Sequence, residues 1–153
     1  MTTSKTDLQI LRILQHDASI SNVELAERIR MSPSPCLRRV KQLEASGLIE
    51  RYVALLDRRK AGFGILAHVE VKVPQISSTT VVERFSEAVK KEPAVVSCFM
   101  TTGDFDFLLK VVARDMDEFS DLAVKRLMKL PGVQHMRSSF VLTTVKDSVA
   151  LPI

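Results

Sequence analysis

The sequence of 153 residues has no tryptophan, one tyrosine, only two cysteines and three histidines, and no apolar run long enough to span a membrane. Each shortage removes a class of function. Cys36 and Cys98 lie far apart with no metal-ligand spacing, and each sits in an apolar pattern. That argues against a disulfide and for a reducing cytoplasm. His16, His68 and His135 are scattered singly and read as packing or surface residues rather than ligands, so neither a metal nor a cofactor is expected. The opening MTTSKTDLQI lacks the apolar run and small-residue cleavage site of a signal peptide. No phosphate-binding loop and no recognisable nucleophile–base pattern occurs, which points away from an enzyme.

What the sequence does contain is enough apolar material, 46 %, to build a core in one domain or two small ones. It also carries an uneven charge. Residues 1–60 hold eleven Lys and Arg against seven Asp and Glu, whereas residues 61–153 hold eleven of each. The whole basic surplus therefore lies in the first part, as expected of a half that meets nucleic acid.

Within that half the stretch Ser21 to Gly47 is organised like a helix-turn-helix. Ser21 with Glu24 makes a capping box, and Leu25, Ala26 and Ile29 follow at helical spacing. After a break at Arg30-Met31, Ser32-Pro33 reads as an N-cap with proline at the first helical position. Cys36, Val40 and Leu43 then share one face of a second helix, and Gly47 stops it in a left-handed conformation. The opposite face carries Ser34, Arg38, Arg39, Lys41 and Gln42. A helix apolar behind and basic in front suits a major groove, although a basic helix face is often simply a solvated one.

Ahead of this unit, Thr6-Asp7-Leu8-Gln9 reads as a further capping box opening a helix with Leu8, Leu11 and Leu14 on its apolar side. Residues 48–56 begin to alternate like a strand, a wing or a linking strand. Asp57-Arg58-Arg59-Lys60, with Gly62 and Gly64, marks a charged joint. From residue 65 the pattern is strand, helix, strand, strand, helix, strand. The first strand alternates through Ala67, Val69, Val71 and Val73 and stops at Pro74, and the first helix carries Val81, Val82, Phe85 and Val89. Two β-rich runs, Val95 to Thr101 and Phe105 to Ala113, meet at a tight hairpin turn through Thr102-Gly103-Asp104. Asp115 and Glu118 cap a second helix, Pro131-Gly132 closes it, and a last strand runs from Met136 to Val145. The fold class is α+β: a three-helix, winged helix-turn-helix domain over residues 1–56, a linker over 57–64, and a ferredoxin-like βαββαβ domain over 65–153. About 80 residues is marginal for burying a core alone, so the uncovered sheet face is expected to pack on a second copy.

Several stretches together carry a resemblance: Asn22 to Ala26, Ser32 to Glu44, Gly47-Leu48-Ile49, and Thr102 to Leu109. In this order they resemble the leucine-responsive and asparagine regulators, the Lrp/AsnC or feast/famine family, over nearly the whole chain. The resemblance implies a transcription regulator that binds double-stranded DNA and senses a small amino acid such as leucine, methionine or another apolar one. It implies homodimers, which in the family often associate to octamers, and no membrane. Carried over by position, Ser34, Pro35, Arg38, Arg39 and Gln42 face DNA, joined by Lys41 from the helix-face reading. Thr101, Gly103, Asp104, Asp106, Ser138 and Ser139 line the effector site. There Asp104 and Asp106 can pair with an α-ammonium group, and free N–H groups of the turn with an α-carboxylate.

Two other functions fit the same scaffold. An RNA-recognition module also uses a βαββαβ sheet, but stacks bases on sheet-face aromatics in a basic groove. This chain has few aromatics and a neutral second half. A small enzyme could use Asp104 and Asp106 as acid and base, yet a polar hairpin turn explains that pair without chemistry.

Overall fold

The computed structural model describes residues 4–73 and 79–153, and the chain divides into two compact units. The first takes the chain up to Leu55 together with Val145–Ile153, and the second runs from Leu56 to Thr144.

Three helices build the first unit: α1 (Lys5–Leu14), α2 (Asn22–Arg28) and α3 (Pro33–Ala45). The capping box of α1 is made by Ser4 and Asp7, two residues before the Thr6–Gln9 expectation. Ser4 stands in the extended conformation an N-cap needs, and Asp7 reaches back to its N–H at 3.1 Å. The Ser21–Glu24 box on α2 is present as expected, with Ser21 N–H donating to Glu24 at 3.1 Å. At the turn between α2 and α3, Arg30 takes φ 55°, a left-handed conformation that L-residues other than glycine enter at a cost. Ser32 and Pro33 open α3, though the Ser32 side chain makes no capping bond. Gly47, at φ 75°, turns the chain out of α3, and Ile49 N–H donates back to Leu43 C=O at 3.4 Å. Ile10, Leu11, Leu25, Ala26, Cys36 and Leu43 form the core, with Val40 and Ile49 packed against it.

Two expectations for this unit change. Residues 48–56, expected as a wing or linking strand, pair with no strand among the described residues, and the apolar side chains of Val53, Leu55 and Leu56 are exposed. The C-terminal tail, assigned from sequence to the ferredoxin-like domain, packs with the first unit. Gln15 holds it by accepting from Leu151 N–H and donating to Leu151 C=O, while Arg12 Nε donates to Ile153 C=O.

The second unit is a four-stranded antiparallel sheet in the order β2-β3-β1-β4, made by β1 (Ile65–Lys72), β2 (Val95–Met100), β3 (Phe107–Ala113) and β4 (His135–Phe140). Helices α4 (Thr79–Lys90) and α5 (Met116–Lys125) follow β1 and β3, and a 3-10 turn at Leu127–Lys129 extends α5 before Pro131. This is the ferredoxin-like order, and β4 ends five residues before the expected Val145. Pro74, the expected stop of the first strand, lies outside the described residues. Alternation decides the faces. Ala67, Val69, Val71, Val73, Phe107, Leu109, Val111 and Ala113 are buried with Phe85, Val89, Phe119 and Leu122 of the helices. A bulge between Val95 and Ser97 shifts the register of the β2 edge. On the open face the rows read Phe99–Leu108–Glu70–Arg137 and Ser97–Lys110–His68–Ser139.

Candidate nucleic-acid interface and effector loop

Helix α3 is amphipathic because its apolar residues recur every three to four positions, and the buried stripe through Cys36 and Leu43 turns the other side outward. Ser34, Leu37, Arg38, Lys41, Gln42 and Ala45 line one shallow open surface there. Four of the residues expected at DNA, namely Ser34, Arg38, Lys41 and Gln42, thus share a face. Leu37, 43 % exposed, joins them and was missed, although its apolar character on an outward helical position marks it in the sequence. Pro35 is half-buried at the margin.

Arg39 has a different environment. At about 100° per residue it falls roughly 60° from the Cys36 line, whereas Arg38 falls roughly 160° away. The Arg39 guanidinium donates to Asp7 Oδ1 at 3.0 Å and approaches Ser4 Oγ at 3.4 Å. The Ser4 hydroxyl first, then its N–H and the Arg39 guanidinium, hold the Asp7 carboxyl below its ordinary value despite partial burial. The start of α3 is held as well, by Asn22 Nδ2 donating to Pro33 C=O at 2.9 Å. At its end, the Tyr52 hydroxyl donates to Glu44 at 2.9 Å. Arg58, in the charged joint, donates to Phe63 and Gly64 C=O and so closes a turn.

The connection between β2 and β3 is wider than a two-residue hairpin. Thr101 N–H donates to Asp106 C=O at 2.9 Å, closing a loop over residues 102–105, and Thr101 Oγ1 donates to Phe105 C=O at 3.2 Å. Gly103 stands at φ 116° with open space where a Cβ would project, so glycine is needed for the backbone turn. Asp104 is exposed. Asp106 is 4 % exposed and turned inward: its carboxylate accepts from Val73 N–H at 2.9 Å and lies 3.6 Å from Lys72 Nζ. A buried carboxylate must be paired, and this one ties the loop to the end of β1.

The expected serines separate. Ser138 opposes Val69 on the helix-covered face, and Ser139 opposes His68 on the open face, because neighbours on a strand point to opposite sides. Neither pairs across to the loop. Arg137 of β4 reaches it instead: its guanidinium lies 4.9 Å from the Phe105 ring centroid and its Nε donates to Glu70 at 2.6 Å. The Glu70 hydrogen bond and charge, with a further contribution from Asp104, push the Arg137 pKa up. Its period-two placement with Ser139 was legible, but its reach across β1 to Phe105 was not. The result is an exposed loop with an anionic side chain, a cation beside an aromatic ring, and an unobstructed glycine backbone.

Comparison with known proteins assigns both parts. Residues 3–50 match the winged helix-turn-helix DNA-binding model, and residues 66–151 match the Lrp/AsnC ligand binding domain. The chain is 40 % identical over 149 residues to the leucine-responsive regulatory protein of Escherichia coli K12, covering 97 % of this chain and 90 % of that one. It is 37 % identical to the transcriptional regulator AzlB of Bacillus subtilis, covering 97 % and 94 %. Among solved structures, a transcriptional regulator of Neisseria meningitidis in complex with L-methionine superposes with a TM-score of 0.94 at 42 % identity, covering 99 % and 97 %. With a DNA-binding unit ahead of a ligand-binding domain and full-length relatives of both sequence and structure, the chain belongs to the Lrp/AsnC family of transcription regulators.

Proposed function

We propose that this regulator reads double-stranded DNA with the outer face of α3, and that a small apolar amino acid bound at the 101–106 loop modulates its DNA binding or assembly. Support for the reader comes from one observation, the gathering of Ser34, Arg38, Lys41 and Gln42 on a single open surface in the half that holds the basic surplus. For the effector, the support is the L-methionine held by a relative 42 % identical to this chain. Asp104 supplies an anion for the α-ammonium, and Arg137 a cation for the α-carboxylate. Gly103 allows close approach to the backbone. Asp106, engaged with Val73 and Lys72, shapes the loop rather than meeting the ligand. The open sheet face, with Phe99 59 % exposed opposite Leu108, packs on a second copy, giving a homodimer that can assemble further. Acting on transcription rather than as an enzyme, the protein works in the cytoplasm.

Two substitutions test the two halves. Arg38→Ala should weaken binding to the duplex that the wild type selects from a random-sequence pool by about fivefold to 150-fold, since a bidentate Arg–guanine contact is worth about 1–3 kcal/mol. Wild-type affinity in that variant would remove α3 as the reader. Asp104→Ala should abolish the rise in thermal stability caused by L-methionine while leaving affinity for DNA within about twofold of wild type. An undiminished methionine shift would move the effector site elsewhere.

A further inference from the structure

A reading helix must be set at a defined rotation about its own axis as well as at a defined depth. The side chains of a helix end about 6 Å from its axis, so turning α3 by about 20° carries its outer tips about 2 Å. That exceeds the tolerance of a hydrogen bond to a base edge. Apolar packing is non-directional and resists such rotation weakly. A charge-assisted hydrogen bond is directional and resists it strongly.

The structure offers α3 one such bond to α1. The Arg39–Asp7 contact, 3.0 Å long, joins side chains that are 36 % and 18 % exposed. Both carboxylate oxygens of Asp7 are engaged. Oδ2 accepts from Ser4 N–H at 3.1 Å and from Ser4 Oγ at 2.6 Å, and Oδ1 accepts from Arg39. Because Ser4 and Asp7 form the capping box of α1, the anchor is itself rigid. The Arg39 charge is spent within the protein, on the flank of α3 rather than on its outer face.

We infer that Arg39 and Asp7 are positioning residues for DNA recognition: their ion pair fixes the rotation of α3 and so aims Arg38, Lys41 and Gln42, while Arg39 itself does not contact DNA. This rests on α3 as the reading helix and reassigns one of the residues expected there. It also makes a prediction of opposite sign to simple electrostatics. Removing the Asp7 negative charge near a polyanion should tighten DNA binding if only charge matters. If Asp7 sets the pose, removing it weakens binding.

The test uses the full chain, the duplex selected by the wild type, and affinities measured across a salt series. Asp7→Asn keeps an oxygen to cap α1 but removes the charge. We expect Asp7→Asn and Arg39→Ala each to weaken binding about tenfold, and the double variant to bind no worse than either, because the two residues act as one unit. Arg39→Lys, which keeps the ion pair, should recover binding to within about threefold of wild type. The dependence of log affinity on log salt should keep its slope, whereas loss of a phosphate contact would reduce it by about one. Wild-type or tighter binding by Asp7→Asn, or a slope reduced by about one in Arg39→Ala, would overturn the inference. Loss of the helical circular-dichroism signal in Asp7→Asn and Arg39→Ala would also overturn it, since the pair would then be required for folding rather than for pose. Arg38→Ala, run in parallel, separates this from the underlying reading: wild-type affinity there removes α3 as the reader, while its loss beside wild-type Asp7→Asn removes only the positioning role.

Discussion

Tyr52 shows how one side chain makes the first unit sensitive to pH. Burial first, and then the hydrogen bond to Glu44 and its charge, push the phenol up to about 12. A folded value above the unfolded one of about 10 means the neutral form is favoured in the native state. The contribution to stability is therefore complete below about pH 10 and is lost as pH rises from there through 12. Ionisation would set a phenolate against the Glu44 carboxylate at the end of α3. With one tyrosine and no tryptophan in the chain, the phenolate absorbance reports this group alone. It should titrate near 12 in the folded protein, and Tyr52→Phe should flatten the alkaline fall in stability. Titration at about 10 in the native state would show that neither the burial of the phenol nor its Glu44 contact holds in solution.

Among the elements, the three helices of the first unit begin with serine but are capped differently. Ser21 both accepts from Glu24 N–H and is met by the Glu24 carboxylate, whereas Ser32 makes no side-chain capping bond before Pro33. Ser21→Ala should cost about 1 kcal/mol in urea denaturation, while Ser32→Ala should cost less than about 0.5 kcal/mol. Equal losses would mean that α3 gains a cap in solution that the structure lacks. The contrast also bears on α3. Its start is held from outside by Asn22 on Pro33 C=O, its flank by Arg39 on Asp7, and its end by Tyr52 on Glu44. An element with little capping of its own is thus kept in place by its neighbours.

At the scale of the whole molecule, the chain passes between its two units at Leu55–Leu56 and again at Thr144–Val145, so the first unit is built from the chain segments on both sides of the second. The returning tail, through Leu151 and Ile153, lies against Arg12 of α1 and its C-cap Gln15 and lines a groove of about 670 Å³ with Leu11, Tyr52 and Val53. A chain ending at Thr144 should lose hydrogen-exchange protection in α1 while β1 and β3 keep theirs, because the two cores are separate. Unchanged protection in α1 would show that the tail contributes nothing to the first unit. The same truncated chain should still scatter light as at least a dimer, since the open sheet face is intact. A monomer at micromolar concentration would contradict the sheet-face interface.

What the sequence alone determined here was local or periodic. The Ser21–Glu24 box spans four residues, the Gly47 stop needs one, and alternation through Ala67, Val69, Val71 and Val73 needs only the pleat. These signals were enough for the helix-turn-helix, for the βαββαβ order, and for the outer face of α3. Other features joined residues remote in the chain, and only the tertiary structure decided them. Arg39 meets Asp7 across 32 positions, and Leu151 meets Gln15 across 136. Asp106 turns inward because the N–H of Val73 and the Lys72 ammonium are there to receive it. The pleat alone parts Ser138 from Ser139, but which of them faces the helices follows from the register of β4 on β1. A charged side chain has the same residue letter whether it meets a partner or solvent, and no spacing rule distinguishes the two. Its destination follows from where the folded chain places the complementary group.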